Sequence, residues 1–430
     1  MKHISFFYMK HISFFVLALA FTFAFSSCDK SEPEEENIPA DELIERKDIP
    51  LTRSQQEFVK SNNAFALELF RKVSGKEDGK SMLISPISVT YSLGMVDNGA
   101  QGETRNEINK VLGYSGESVK DLNDFCKTML SQGAAVDPTT KISFTNMAVV
   151  NNRYIPLKNS FTNDVRSIFE ANVIYKDFLK DNIVSLVNSW CEEKTNGMIK
   201  NFLSSKPKDT DYAYFLNATY FKGAWSTPFD KGVSKKGDFT DIDGKKLSVN
   251  MMIRHEKILY QQITGLCSAV CLPYGNKAYR MILVLPEEGK TLDYLKERLT
   301  TDNWSPLTKM SSSDVILRMP SFECEFGTTS LKESLKEMGI VKAFKEHVAE
   351  FKGMSDVDLY IGEVLHKAKI KVDEQGTEAA AVTSVGMTAT SPGPGYEHKV
   401  IEFYADRPFL YAITEVSTGA IFFIGQYTGK

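Results

Sequence analysis

Between Val372 and Gly395 the chain reads VDEQGTEAAAVTSVGMTATSPGPG, and this stretch limits the possible folds more than any other. It opens with strand-forming residues and then loses its large side chains. Such a segment adds little to a core, yet it is too strand-prone for an ordinary linker. Taken two residues at a time, one face carries Thr377, Ala379, Ala381, Thr383, Val385 and Met387. The other carries Glu378, Ala380, Val382, Ser384, Gly386 and Thr388. The first face could enter a sheet and be covered, while the second stays small and partly polar. The TSPGPG that follows cannot propagate a ladder, because proline lacks the N–H and glycine weakens pairing. The stretch reads as a potential strand joined to an exposed, cleavable tip; composition alone favours a disordered loop.

The rest supplies the sheet such a strand could join. From about Thr52 to Lys430 the pattern is continuously globular, with no fixed-period repeat and no long linker. SQQEFVKSNNAFALELFRKVSG places Phe58, Phe65, Leu69 and Val73 near helical spacing and stops at Gly75. SPISVTYSLGMVDNGAQGETRNEINKVLG predicts two helices broken at Asn98–Gly99. ISFTNMAVVNN, YAYFLNATYFKG, YRMILVLP, DVILRMPSFECEF, FLYAITEV and AIFFIGQY predict strands, some apolar throughout, as in strands covered on both faces. The class is α+β with large sheets. With 42% hydrophobic and 25% charged residues the composition is that of a soluble domain, and a net charge of −4 argues against nucleic acid as a partner.

The N-terminus reads as a targeting segment. MKHISFF occurs at Met1 and again at Met9, so either methionine could be the start. The apolar run Phe14–Phe25 suits a signal peptide and is too short to span a bilayer. It ends in FSSC, and small residues before a single cysteine resemble the lipobox of bacterial lipoproteins, with Cys28 as the lipidated residue. An ordinary cleaved signal with a chance cysteine is the plainer alternative. Residues 1–27 are therefore expected to be removed, leaving 49 basic against 55 acidic side chains. Residues 28–51 would form an acidic, flexible tether, and residues 52–430 the folded domain. The acidic patch after Cys28 resembles a surface-export signal, so the domain is expected outside the cytoplasm on the outer membrane, held only through its lipid.

Catalytic motifs fail one by one. No HExxH and no GxSxG occurs. GKEDGKS at Gly75–Ser81 has one residue too few between its glycines for a phosphate loop and would join helix to strand, the reverse of what that loop requires. GPG at Gly393–Gly395 lacks the third glycine of a dinucleotide fingerprint. Cys126, Cys191, Cys267, Cys271 and Cys324 are odd in number and scattered; the CxxxC of Cys267 and Cys271 matches no common metal spacing, so buried free thiols are expected.

Several blocks nevertheless resemble the serpins, in the family's order across nearly the whole globular region. SPISVTYSLGMVDNGAQGETRNEINKVLG resembles the segment around the shutter, FLNATYFKGAWSTPF the central-sheet strand ending in the breach tryptophan, and ADRPFLYAITEVSTGAIFFIGQY the C-terminal signature. LHKAKIKVDEQGTEAAA resembles a strand followed by the reactive-loop hinge, with Leu365–His366 where the family has Val–His. The resemblance implies a serpin fold: a large central sheet, smaller sheets, surrounding helices and an exposed reactive loop over about residues 374–400. It implies no enzyme but a suicide inhibitor of serine proteases, whose loop is cleaved, traps the acyl-enzyme and inserts as an extra strand. The hinge would be Glu374, Gly376, Thr377, Glu378, Ala379, Ala380 and Ala381. The shutter would be Ser85, Ser88, Asn217 and His366, and the breach Trp225 with Glu374. The lysine that partners this glutamate in many serpins falls at Ser321, leaving Glu374 to Arg318 or unpaired.

Counting from Glu374 as in the family puts the scissile bond between Thr390 and Ser391. Thr390 fits a shallow elastase-like pocket, with subtilisin-like enzymes second; Met387, Tyr396 and Lys399 are rival positions. The loop is longer than in many serpins. A non-inhibitory serpin-fold binding protein is the alternative, against which the small hinge residues speak. GESVKDLNDFCKTML carries too few cations for a heparin-like cofactor, so no cofactor is expected, and the chain would act as a monomer.

Overall fold

Tyr279–Pro286 is buried at every position, which only a strand covered on both faces can achieve. It lies inside one of two large sheets in the computed structural model, which describes residues 45–114, 119–154, 156–208, 211–377 and 400–430. The strands in chain order are β1 (Met82–Ile84), β2 (Lys141–Asn151), β3 (Asn172–Lys176), β4 (Ala213–Ala224), β5 (Lys235–Thr240), β6 (Lys246–Ile263), β7 (Cys267–Tyr274) and β8 (Tyr279–Pro286). They continue with β9 (Ser311–Pro320), β10 (Phe322–Ser330), β11 (Leu365–Asp373), β12 (Gly376–Thr377), β13 (Ile401–Tyr404), β14 (Phe409–Glu415) and β15 (Ile421–Tyr427). One sheet runs β1-β15-β14-β8-β7-β6-β9-β13, with β5 paired to β6. The other, the central sheet, runs β10-β11-β12-β4-β2-β3.

Most expected strands are present, and the two helices predicted around Asn98–Gly99 are Pro86–Asp97 and Gly102–Leu112. DVILRMPSFECEF is corrected from one strand to two, β9 and β10, which belong to different sheets. The corner is Pro320–Ser321: proline offers no ladder donor, and the Ser321 N–H turns to the Asn250 carbonyl. GKEDGKS is a turn between helix Arg53–Ser74 and β1, as its spacing implied. Cys267 and Cys271 lie four residues apart on β7, about 13 Å at strand rise, and the five described cysteines are buried free thiols.

Helix Pro86–Asp97 is buried on nearly every side and starts with proline at its first turn, where the missing N–H costs nothing. It lies in the larger core, with the inward residues Ala148, Val150 and Phe221 of the central sheet. The opposite face of β2 and β4 presents Met147, Val149, Leu216, Ala218 and Tyr220 to a second cluster with Trp190 of helix Ile183–Lys194. Period-two alternation thus buries β4 twice over, which explains its unbroken apolar reading.

β15 packs so closely that Gly425 has no room for a side chain: a Cβ there would lie 2.5 Å from the Met82 carbonyl oxygen and 2.5 Å from Tyr411 Cζ. Gly425→Ala is expected to destabilise the fold by about 1–3 kcal/mol, the usual cost of overpacking a rigid core. A lowered urea midpoint with an unchanged slope would register it.

Candidate functional site

The central sheet has a seam. β4 pairs antiparallel with β2 over ten positions from Lys141↔Lys222 to Val150↔Ala213, and β11 pairs antiparallel with β10. Between these halves stands β12, two residues long and antiparallel to both neighbours: Val372↔Thr377 and Asp373↔Gly376 on one side, Gly376↔Ala224 and Thr377↔Gly223 on the other. β4 and β11 therefore run parallel, and among the described residues no register pair joins them directly.

At the head of the seam the expected breach residues meet. Trp225, 3% exposed, stacks on Tyr274 with centroids 4.4 Å apart and an interplanar angle of 14°. Its Nε1–H donates to the Asp373 carbonyl at 2.9 Å, and its backbone N–H donates to the Gln375 carbonyl at 2.8 Å. The Phe229 N–H donates to the Glu374 carbonyl at 2.8 Å. The Tyr274 and Thr377 hydroxyls lie 2.6 Å apart, and Thr377 is 1% exposed. Gly376 has φ +151°, and a Cβ on it would sit 2.2 Å from the Gly223 carbonyl oxygen. Only glycine lets the chain enter between the two strands at that point.

Glu374 is paired, but not by Arg318. Asn250 Nδ2 donates to Glu374 Oε1 at 2.8 Å and also approaches Ser321 Oγ at 3.4 Å. Arg318 instead lies over the Tyr404 ring, 4.3 Å from its centroid. The short Ser321 side chain leaves an amide to do what a lysine would otherwise do. Burial tends to raise the Glu374 pKa, but its own backbone N–H, Asn250, Ser234 and Lys231 together bring it below the ordinary range.

Lower on the seam the four expected shutter residues form one chain of hydrogen bonds. His366 of β11 is buried, and its Nε2 accepts the Ser85 N–H at 3.1 Å at the start of helix Pro86–Asp97. The Ser88 hydroxyl lies between Ser85 Oγ, at 2.8 Å, and the Thr219 hydroxyl of β4, with a single proton to share between them. The Thr219 hydroxyl donates to Asn217 Oδ1 at 2.7 Å, Asn217 Nδ2 to Asn146 Oδ1 at 2.8 Å, and Asn146 Nδ2 to the Phe169 carbonyl at 2.6 Å. This network ties β11, the buried helix, β4 and β2 together across the seam. Sequence reading missed Thr219, Asn146, Tyr274 and Asn250. Thr219 had a signal, since it lies two residues from Asn217 on the same strand face; the others come from distant segments. Glu378, Ala379, Ala380, Ala381, the Thr390–Ser391 bond and Cys28 lie outside the described residues.

A neutral His366 that accepts at Nε2 carries its proton on Nδ1, so protonation would set a second N–H against that of Ser85. Burial lowers its pKa from 6.5 to about 4. Between those values the unfolded chain binds the proton and the folded chain does not, so stability falls as pH drops through that window and levels off below it. The fall should reach about 3 kcal/mol at most. Urea midpoints measured from pH 7 to pH 4 should show it, and His366→Gln should flatten the slope.

The comparisons with known proteins agree with this geometry. The family model described as Serpin (serine protease inhibitor) matches residues 60–429. Iripin-2 of Ixodes ricinus is 33% identical over 382 residues, covering 87% of this chain and 94% of its own. An uncharacterised serpin-like protein of Methanosarcina mazei is 28% identical over 382 residues, covering 86% and 87%. Among solved structures, the thermophilic serpin tengpin in its native state aligns with a TM-score of 0.79 at 30% identity, covering 90% of this chain and 98% of that one. Human thyroxine-binding globulin complexed with its hormone aligns with a TM-score of 0.78 at 25% identity, covering 87% and 98%. A seam braced by a polar cluster, a stacked tryptophan at its head and a family pattern that matches residues 60–429 lead to one assignment: the chain belongs to the serpin family.

Proposed function

We propose that this serpin is a suicide inhibitor of serine proteases that works by inserting its cleaved loop into the central sheet. The observation that carries this reading is β12: the first hinge residues, Gly376 and Thr377, already pair on both sides between β4 and β11. A chain end released beyond Thr377 could continue that pairing. Insertion converts a parallel junction into two antiparallel ladders, the slightly more stable arrangement per residue. About a dozen inserted residues would add roughly ten hydrogen bonds at about 1 kcal/mol each, before any apolar burial. That total is comparable to the stability of a typical protease domain, so it could distort an active site still attached to the loop.

The same reading assigns the bait to Thr390–Ser391, and a small β-branched Thr390 favours elastase-like enzymes, with subtilisin-like ones second. Incubation with pancreatic elastase should give a covalent complex that survives denaturing electrophoresis. Mass spectrometry of the small released fragment should find it starting at Ser391; a start at Thr388, Glu397 or Val400 would move the bait to another position. Thr377→Arg would bury an unpaired guanidinium against Tyr274, so the variant should be cleaved as a substrate without forming the complex. Thr377→Ser keeps the hydroxyl and should still trap. A Thr377→Arg variant that traps as well as the wild type would sink the insertion reading.

The inhibitor is further proposed to be a lipoprotein held at the outer membrane through Cys28. Two or three acyl chains, each contributing about 0.8 kcal/mol per buried CH₂, make such an anchor stable. Cys28→Ala should move the protein from the membrane fraction to the soluble fraction.

A further inference from the structure

Beside Ser226 and Thr227, which follow Trp225, lies a cavity of about 350 Å³ with an unusual charge balance. Arg46, Arg254, Lys257, Lys277 and Arg280 line it, against the single carboxylate of Glu256. The five cations come from four separate pieces of chain: the segment before the first helix, β6, the β7–β8 turn and β8. The fold therefore assembles this charge; no sequence cluster announces it.

Two of the cations are built into the walls. The Arg254 side chain is 10% exposed, and its guanidinium donates to the Thr227 carbonyl and covers the Phe229 ring at 4.7 Å. Glu256 Oε1 lies 3.0 Å from Arg254 Nε, which offsets its charge, yet the buried Nε–H makes no hydrogen bond among the described residues. Its N–H thus faces a carboxylate without aligning on it, so a better-placed acceptor could take that proton. Arg280 is buried and spends its protons on neutral acceptors, the Thr414 hydroxyl at 3.2 Å and the Thr308 carbonyl at 3.1 Å. Its charge is thus unbalanced by any carboxylate in the lining. Lys257 and Lys277 are exposed at the mouth and make no ion pair among the described residues.

Nearby acids are already committed. Asp48 pairs with the lining cation Arg46 at 3.0 Å and offsets it, while Asp314, opposite Lys257 in the ladder, is held by His255 at 2.9 Å, so the cations left without a paired carboxylate are Lys257, Lys277 and Arg280. The buried Glu415 carboxylate takes up the N–H and hydroxyl groups of Ser417 and Thr418. The segment that brings Arg46 to the rim, expected from sequence as the end of a flexible tether, is instead fixed: Ile49 is buried, and its N–H donates to Ser417 Oγ at 3.0 Å.

We infer that this cavity binds a small multivalent oxyanion of the phosphate class. The volume falls in the range of small-molecule sites. Inside it, one unsatisfied guanidinium N–H and an uncompensated Arg280 would meet the anion, and two free lysines would close over it. Charge-assisted hydrogen bonds of this kind are the strong ones. Occupancy would also stiffen the head of the seam, because Arg254 holds Thr227 and Phe229, and the Phe229 N–H holds the Glu374 carbonyl at 2.8 Å.

Calorimetric titration of the full chain with inorganic pyrophosphate at low ionic strength tests the site independently of any inhibitory activity. One saturable site per chain is expected. The double variant Lys257→Gln, Lys277→Gln should weaken it by about tenfold or more, the loss of two such contacts. A control with the same charge change on remote surfaces, Lys60→Gln with Lys345→Gln, should bind as the wild type does. No saturable binding at millimolar pyrophosphate would overturn the inference. So would full affinity in the first double variant, or an equal loss in the control.

Discussion

Everything in this molecule turns on the junction between β4 and β11. Two parallel strands stand beside each other in the middle of a sheet, and their described ladder partner on the inner side is a strand of two residues. Buried backbone groups require partners, so a junction of this kind has room for a further strand to pair on both sides. The small side chains that follow Thr377 in the sequence are the ones a narrow gap could take. The rest of the architecture either braces this junction or frames its entrance.

The bracing is polar, which is an expensive choice inside a core. His366, Ser85, Ser88, Thr219, Asn217 and Asn146 could have been replaced by apolar side chains of similar volume at little cost in stability. Apolar packing, however, is non-directional and would re-form in many arrangements. A hydrogen-bonded chain joins named partners, and parting β4 from β11 would break several of its bonds together. The entrance is built on the opposite principle. Trp225 and Tyr274 form a flat apolar platform, and the backbone carbonyls of Asp373, Glu374 and Gln375 are each claimed by a donor from Trp225 or Phe229. The turn into β12 is therefore fixed in place, and the direction in which the chain enters the sheet is set before Gly376.

The departure at Ser321 shows how such a site tolerates change. With no lysine there, Glu374 keeps a partner because Asn250, on β6, reaches both Ser321 and Glu374. An amide serves a carboxylate less strongly than a charge does, but it needs no counter-ion of its own. Arg318 was the natural candidate from sequence because it lies three residues before Ser321. The chain turns a corner at Pro320–Ser321, however, and Arg318, before that corner on β9, lies over the Tyr404 ring instead.

How much could be read in advance follows from the same physics. Period-two and helical spacing are local properties, so β4, β8, β11, β14, β15 and the helices around Asn98 were legible from sequence. A run of alanines after a strand is a local anomaly visible in the sequence, although that run lies outside the described residues. The boundary at Ser321 was not, since a proline ends a ladder without saying which sheet comes next. Tyr274 and Asn250 carry no local signal; they matter only because β7 and β6 bring them beside Trp225 and Glu374. The five cations of the outer cavity are equally silent in the sequence, spread from Arg46 to Arg280. The chain by itself determined which segments would form strands and helices and which stretch would carry only small side chains. Tertiary structure alone decided which distant polar groups would meet, because hydrogen bonds and charges act over a few ångströms and sequence separation says nothing about that distance.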